Sequence, residues 1–149
     1  MKTWLALAAL CIFPAIGFAE PSLSGTWKSD REISAAFNEA HSRLAPKTND
    51  FLRQSMGRLT LTITANEIEY VMPDFEATIE GSNHAIVGFS ERHPYKILAT
   101  TNDSVAILTT ESVSHAEVVV VYNFDCPDRM WLYIKMSDLN IREYFTRVH

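Results

Sequence analysis

The chain has 149 residues, 47% of them hydrophobic, and a formal net charge of −5. This length supplies one hydrophobic core and is too short for two independent domains. The acidic balance, without any cluster of lysine and arginine in the sequence, argues against a nucleic-acid partner, because binding to phosphates depends on clustered basic side chains.

Residues 1–19 have the pattern of a secretory signal peptide. Lys2 provides a positive charge, an apolar run extends from Leu5 to Phe18, and small residues precede a predicted cut between Ala19 and Glu20. Cleavage would leave 149 − 19 = 130 residues and, because Lys2 is lost, would change the net charge from −5 to −6. The apolar run is short for a membrane span, so an uncleaved anchor is the less favoured alternative. We expect an exported protein, periplasmic or secreted, whose mature chain has no integral membrane segment.

Cys126 is the one cysteine of the predicted mature chain, so an internal disulfide cannot form there. The hydrophobic core alone must then stabilise the fold, which is feasible at about 130 residues. A signal peptide without a disulfide fits a bacterial periplasm.

A first strand and a helix open the mature chain. Residues 23–28 contain a Gly-x-Trp sequence, and Ser29 with Glu32 has the spacing of a capping box at the start of a helix. We therefore expect a helix that begins after Ser29. Its apolar stripe recurs at helical spacing in Ile33, Phe37, Ala40 or His41, and Leu44.

A second, short helix is predicted over Asp50–Met56. Thr48 or Asn49 is placed to cap its start, and Gly57 is a typical helix stop. Pro46 either ends the first helix or begins the second. The two helices would form a hairpin.

From residue 58 onward the sequence contains strand patterns. Leu59–Thr64 alternates between apolar residues and threonine, and turn signals occur at residues 81–83 and 102–103. Ala116–Phe124 contains four consecutive valines and is predicted to be the best-buried strand. Nine or ten short strands with short connections are typical of an antiparallel barrel or sandwich. We predict a mostly β fold, a single antiparallel up-and-down β-barrel with a helical hairpin between the first and second strands, because such an insertion can plug an open end and closure removes exposed edges.

The opening Gly25-Thr26-Trp27-Lys28, the helical pair after the first strand and Arg142-Glu143-Tyr144 in the last strand resemble the calycin superfamily of lipocalins and fatty-acid-binding proteins. The resemblance implies that residues 20–149 form one lipocalin-like barrel domain. In fatty-acid-binding proteins an Arg-x-Tyr pair of the final strand holds a ligand carboxylate. In lipocalins a late arginine packs over the Gly-x-Trp tryptophan, which would give Arg142 or Arg147 a structural role beside Gly25 and Trp27.

Arg142 and Tyr144 lie two residues apart on a predicted strand, so their side chains share a face. If that face points inward, a guanidinium and a phenol could bind a carboxylate in the barrel interior. If it points outward, the pair lies on the surface, or Arg142 stacks on Trp27. The alternation leaves both alternatives open, because Ile141 and Phe145 compete for the interior.

Four apolar residues are further candidates for contact with a ligand. Phe37 and Phe51 would face the barrel opening from the two helices, and Met130 with Leu132 would form an apolar wall. A filled core needs the same residue types, so packing is the alternative role for all four. Trp27 is expected to fill the closed end of the barrel.

The sequence gives no support for catalysis. No phosphate loop and no nucleophile elbow occur, and the histidines are scattered without metal-ligand spacing, so we expect no cofactor and no metal site. The expected function is non-catalytic binding of a small hydrophobic or amphipathic ligand, including one that bears a carboxylate, in the barrel interior. The alternative is a periplasmic inhibitor or immunity-type protein with a filled barrel, which would bind a partner protein through loops or its outer surface.

Overall fold

The structure is a computed structural model that describes residues 20–111, 114–134 and 140–149. The predicted signal peptide and its cleavage site after Ala19 lie outside or at the edge of this range. Within it the chain forms two helices and ten strands: β1 (Gly25–Asp30), α1 (Arg31–His41), α2 (Pro46–Ser55), β2 (Thr60–Ile63), β3 (Glu67–Met72), β4 (Phe75–Ile79), β5 (Ser82–Ile86), β6 (Phe89–Thr100), β7 (Ser104–Thr110), β8 (Glu117–Cys126), β9 (Arg129–Ile134) and β10 (Ile141–Val148).

Eight of these strands close into an antiparallel barrel in the order β1-β10-β9-β8-β7-β6-β3-β2. Neighbours in the barrel are neighbours along the chain, apart from the closure between β1 and β10 and the step from β3 to β6. Closure pairs the first strand with the last, which leaves no barrel strand without a neighbour on each side. The predicted antiparallel barrel with a helical hairpin between its first and second strands is confirmed.

The β4–β5 hairpin forms a separate two-stranded sheet outside the barrel. Glu80 and Gly81 both have positive φ, at 52° and 79°, as a two-residue hairpin turn requires. The hairpin is attached to α2 through Gln54, whose amide nitrogen donates to the Thr78 carbonyl at 2.8 Å and whose amide oxygen accepts from the Thr78 N–H at 2.8 Å. The side-chain amide of Gln54 thus makes the pair of hydrogen bonds to the backbone of Thr78 that a neighbouring strand would otherwise make.

Helix α1 lies against β10 where β1 ends. The register pairs Asp30, the last residue of β1, with Tyr144. Beyond that point Ser34 Oγ accepts from the Tyr144 N–H at 2.9 Å. Asn38 Oδ1 accepts from the Arg142 N–H, and Asn38 Nδ2 donates to the Arg142 carbonyl, both at 2.9 Å. Buried side chains of a helix therefore continue the hydrogen bonds that β1 makes with β10.

The helix ends differ from the sequence prediction in two places. Asp30, and not Ser29, caps α1, since Asp30 Oδ1 accepts from the Ile33 N–H at 3.1 Å. Helix α2 begins at Pro46 instead of Asp50, because proline fits the first turn of a helix, where its missing N–H is not needed. Gly57 follows the helix with φ at 85°, as predicted for a stop.

The two helices close one end of the barrel. Leu52 and Met56 of α2 form a buried cluster with Ile141 of β10, and Leu44, Phe51 and Ile134 pack against it. No helix in the described part of the chain is long and apolar enough to cross a membrane.

The opposite end of the barrel is filled by Trp27, which is fully buried. Its indole N–H donates to the Leu23 carbonyl at 2.8 Å, and the Arg147 guanidinium lies 4.1 Å from the ring centroid. Arg147 also donates to the Ser24 carbonyl at 2.6 Å. At Gly25 φ is 130°, a conformation that favours glycine, and a Cβ there would lie 2.6 Å from Arg147 Nη1, so a larger residue would also force the end of the arginine side chain to shift.

Strand β8 is not the best-buried strand, contrary to the prediction. Val119 and Val121 are 45% and 42% exposed, and the interior-facing Tyr122 is fully buried. The four-valine run does not predict burial of the whole strand, because β8 forms a barrel wall and alternate side chains of a wall strand face solvent whatever their type.

Candidate functional site

The barrel interior contains a cavity of about 400 Å³. Its walls are predominantly apolar and include Leu59, Leu61, Val120, Leu132 and Phe145. Leu59 immediately precedes β2, and the other four residues lie in β2, β8, β9 and β10, where they face inward because they occupy alternate positions of their strands. The volume falls within the range of small-molecule binding sites.

The cavity reaches the surface along the seam between β8 and β9. Among the described residues these strands pair only from Asn123–Trp131 to Cys126–Arg129, with an irregularity in the register between Phe124 and Cys126. Past this paired part, Val118–Val121 and Tyr133 line the cavity. Val119, Val121 and Tyr133 are also 42–48% exposed to solvent. The seam therefore provides an opening in the side wall of the barrel.

Glu143 is a buried carboxyl group that lines the cavity. Ser29 Oγ donates to Glu143 Oε1 at 2.6 Å, and Ser29 Oγ in turn accepts from the Gly57 N–H at 2.8 Å. Burial raises the pKa of Glu143 to about 6, because desolvation disfavours the charged form; the hydrogen bond from Ser29 acts in the opposite direction.

Tyr122 also lines the cavity. Its side chain is fully buried, and its hydroxyl has no hydrogen-bond partner among the described residues. The phenol of Tyr70 lies close enough for each ring to affect the pKa of the other, but the two hydroxyls do not reach hydrogen-bond geometry. Burial raises the pKa of both phenols.

The register places Glu143 and Tyr122 at one level of the wall. Leu132 of β9 pairs with Glu143 of β10, and the adjacent Trp131 pairs with Asn123 of β8. Tyr122 immediately precedes Asn123, so its inward side chain lies near the level of Leu132 and Glu143.

Arg142 and Tyr144 lie on the outer face of β10. The Arg142 guanidinium stacks 3.6 Å from the ring centroid of Trp131 and 4.2 Å from that of Phe37. It donates to the Tyr133 hydroxyl at 2.9 Å and to the Tyr144 hydroxyl at 3.3 Å. The pair expected to meet a carboxylate in the interior is therefore packed between α1 and β9, because Ile141, Glu143 and Phe145 occupy the inner face of β10.

The other predicted contact residues are distributed over three environments. Phe37 belongs to the outer cluster around Arg142, and Phe51 packs in the helical cluster that closes the barrel end. Met130 is fully buried in the barrel core, and Leu132 lines the cavity. Arg147, and not Arg142, is the arginine that covers Trp27.

Sequence reasoning missed Glu143 and Tyr122 as cavity residues. A signal for Glu143 was present, because Ile141 and Phe145 share its face by alternation and both were candidates for the interior. Tyr122 follows the valine run, so the sequence of this strand predicts an apolar wall and gives no separate signal for the tyrosine.

No group of three or more histidine, cysteine, aspartate or glutamate side chains in the described ranges could hold a metal ion. Comparison of the chain with protein-family models, with curated proteins and with solved structures finds no match.

Proposed function

We propose that this chain is an exported, non-catalytic binding protein that holds a small hydrophobic or amphipathic ligand in the barrel interior. The observation that carries the proposal is the apolar cavity of about 400 Å³. Protein interiors are normally packed to the density of organic crystals, and the atoms around an empty space lose their contacts. A space of this size, lined mostly by apolar side chains, is therefore best explained by a guest that fills it.

The opening between β8 and β9 supports the same proposal, because a ligand needs a route into the barrel. The end closed by Trp27 and Arg147 and the end covered by the helices are both packed. The exposed side chains at the seam, Val119 and Val121, would give this route an apolar rim. Export is proposed from the sequence pattern of residues 1–19.

The cavity favours ligand binding over the alternative of an inhibitor with a filled barrel. A protein that bound its partner only through loops or its outer surface would need no interior space, and large side chains could fill the barrel for greater stability.

The test is binding of a neutral, environment-sensitive fluorescent dye to the mature protein, combined with variants that fill the cavity. Leu132→Phe and, separately, Val120→Phe place extra volume inside, whereas Ile97→Phe adds the same ring type to an outer position that is 57% exposed. We expect saturable one-to-one binding by the parent protein, at least about tenfold weaker binding by the interior variants, and unchanged binding by Ile97→Phe.

Overpacking can destabilise a core by about 1–3 kcal/mol, so thermal unfolding of each variant must show that it is folded. Two interior sites are used so that one can fail to fold without loss of the test. Absence of saturable binding by the parent protein, or full binding by a folded interior variant, would refute the proposal.

A further inference from the structure

Among the described residues, the charged side chains that line the cavity are acidic. Glu143 and Glu111 line it, and no lysine, arginine or histidine of this part of the chain does. Arg142 and Arg147, the two arginines nearest to Glu143 in sequence, do not line the cavity. Arg142 lies on the outer face of β10, and Arg147 covers Trp27. An apolar cavity with low-dielectric walls strengthens the field of such carboxylates, so the interior is a favourable place for a cation and an unfavourable one for an anion.

Glu143 has hydrogen-bonding capacity to spare. A carboxylate can accept about four hydrogen bonds. Within the described residues, Glu143 accepts a hydrogen bond from the hydroxyl of Ser29, and this bond uses the single proton of that hydroxyl. The Ser29 oxygen is itself held by the Gly57 N–H, so Ser29 is fixed in the orientation that supports Glu143.

Tyr122 lines the cavity with a side chain that is fully buried. Its hydroxyl has no accessible surface and no hydrogen-bond partner among the described residues, so a ligand does not reach this oxygen while the wall stays packed as it is. This leaves Glu143 as the buried carboxyl group that a head group in the cavity can reach.

We infer that the ligand of this cavity is an amphiphile with a protonated amine as its head group, which donates to Glu143 while its apolar tail lies against Leu132 and Phe145. This inference rests on the proposed function. An ammonium group offers three donors and a positive charge, which matches an ionised carboxylate with free acceptor positions.

The same geometry disfavours the other two head groups. A fatty-acid carboxylate would meet Glu143 as a like charge, and Arg142, which packs against Trp131 and Phe37 on the outer face of β10, does not line the cavity. A neutral alcohol would hydrogen-bond to Glu143 but would leave its charge unpaired in an apolar surrounding.

The experiment is isothermal titration of the mature protein at about pH 8 with three chain-matched probes: decylamine, decanol and decanoate. At this pH the amine is protonated and Glu143 is ionised, given its pKa of about 6. We expect decylamine to bind at least about tenfold more tightly than decanol, since a charge-assisted hydrogen bond is worth more than a neutral one, and decanoate to bind most weakly.

One variant and its control assign the preference to Glu143. Glu143→Gln should weaken decylamine binding about tenfold or more and leave decanol within about twofold. Glu117→Gln removes an exposed carboxylate of β8 that does not line the cavity, and it should change neither affinity.

The outcomes separate the two proposals. Equal binding of decylamine and decanol, or an unchanged decylamine affinity in folded Glu143→Gln, overturns the amine inference while interior binding of decanol sustains the proposed function. Failure of all three probes to bind overturns both.

Discussion

Ser29 of β1 and Glu143 of β10 lie 114 residues apart in sequence, and the serine hydroxyl donates to the carboxylate across 2.6 Å inside the barrel wall. This contact joins the first strand to the last and places an ionisable group in a cavity that is otherwise mostly apolar. The stability of the fold, the pH response of the protein and the chemistry of its cavity are therefore coupled at one carboxyl group.

Glu143 predicts a specific dependence of stability on pH. Its pKa is raised from 4.5 to about 6 in the folded chain, so the folded state holds this proton more tightly than the unfolded state does. The proton on Glu143 therefore stabilises the folded state by about 2 kcal/mol. This stabilisation is fully present below about pH 4.5 and is lost as the pH rises through about 6. Glu143→Gln, whose amide oxygen can still accept from Ser29, should lack this loss.

The measurement is urea unfolding of the parent protein and of Glu143→Gln between about pH 4 and about pH 8. The difference between the two curves isolates Glu143 from the other titratable groups that line the cavity, which among the described residues are Glu111, Tyr70, Tyr122 and Tyr133. We expect the variant to gain stability relative to the parent as the pH rises through about 6. A constant difference across this range would contradict the raised pKa.

Asn38 and Gln54 make the same pair of hydrogen bonds to a strand backbone in different surroundings. Asn38 is buried and bonds both backbone groups of Arg142, whereas Gln54 bonds both backbone groups of Thr78 at an exposed position. Asn38→Ala should lower the free energy of unfolding by about 2–4 kcal/mol, because it leaves a partly buried N–H and a partly buried carbonyl of Arg142 unpaired.

Gln54→Ala is the matched control, and it should cost about 1 kcal/mol or less because water can replace the lost bonds. Denaturant titration of both variants gives the comparison. Equal losses of unfolding free energy in the two variants would show that burial does not determine how strongly these side-chain hydrogen bonds stabilise the strands.

Gly25 and Arg147 are coupled at the closed end. Arg147→Met removes the stacking on Trp27 and the hydrogen bonds to backbone carbonyls near the start of the chain, and we expect a loss of about 2–3 kcal/mol. Gly25→Ala introduces both a strained φ of 130° and a contact with Arg147, and should lose about 1–3 kcal/mol.

A double-mutant cycle tests the coupling of these two positions. Gly25→Ala should cost less when Arg147 is already methionine, since the close contact is gone and only the backbone strain remains. Additive losses would mean that the arginine shifts aside without cost. Because neither residue lines the cavity, dye affinity should stay unchanged in folded variants.

Arg142 distinguishes an outer-surface role from a role in the cavity. Arg142→Ala removes the stacking on Trp131 and Phe37 and the hydrogen bond to Tyr133, so we expect a loss of about 1–2 kcal/mol in thermal or denaturant unfolding. Its affinity for a neutral dye and for decanoate should equal that of the parent. A decanoate affinity reduced tenfold or more would return Arg142 to a ligand-binding role.

The barrel could be predicted from local patterns because those patterns are set by strand and helix geometry. The alternation in Leu59–Thr64 predicts a wall strand, and β2 shows it with Leu61 and Ile63 buried. Gly25 and Trp27 mark the first strand, and the two helices follow it. Such features depend on neighbours within a few residues, so they can be predicted from the local sequence alone.

The inner face of β10 could not be predicted in the same way. Alternation defines two faces, one with Arg142 and Tyr144 and one with Ile141 and Glu143, but it does not say which of them faces the interior. That choice depends on the pairing of β10 with β1, which brings Glu143 within reach of Ser29.

Long-range contacts also explain the other differences between prediction and structure. Ser29 and Asp30 are both suitable helix caps, and Asp30 takes this role because the Ser29 hydroxyl is committed to Glu143. The β4–β5 hairpin has strand signals in its sequence like those of the barrel strands. Outside the barrel it is attached to α2 by the two hydrogen bonds between Gln54 and Thr78.

The most direct measurement of the central claim is an isotope-filtered NOE spectrum of the mature protein with bound decanol, a neutral ligand whose binding does not depend on the head group. Binding in the interior predicts NOEs from the alkyl chain to Leu132, Val120 and Phe145. NOEs confined to the exposed Ile97 and Leu98 of the outer wall, or no NOEs to a folded protein at saturating decanol, would contradict it.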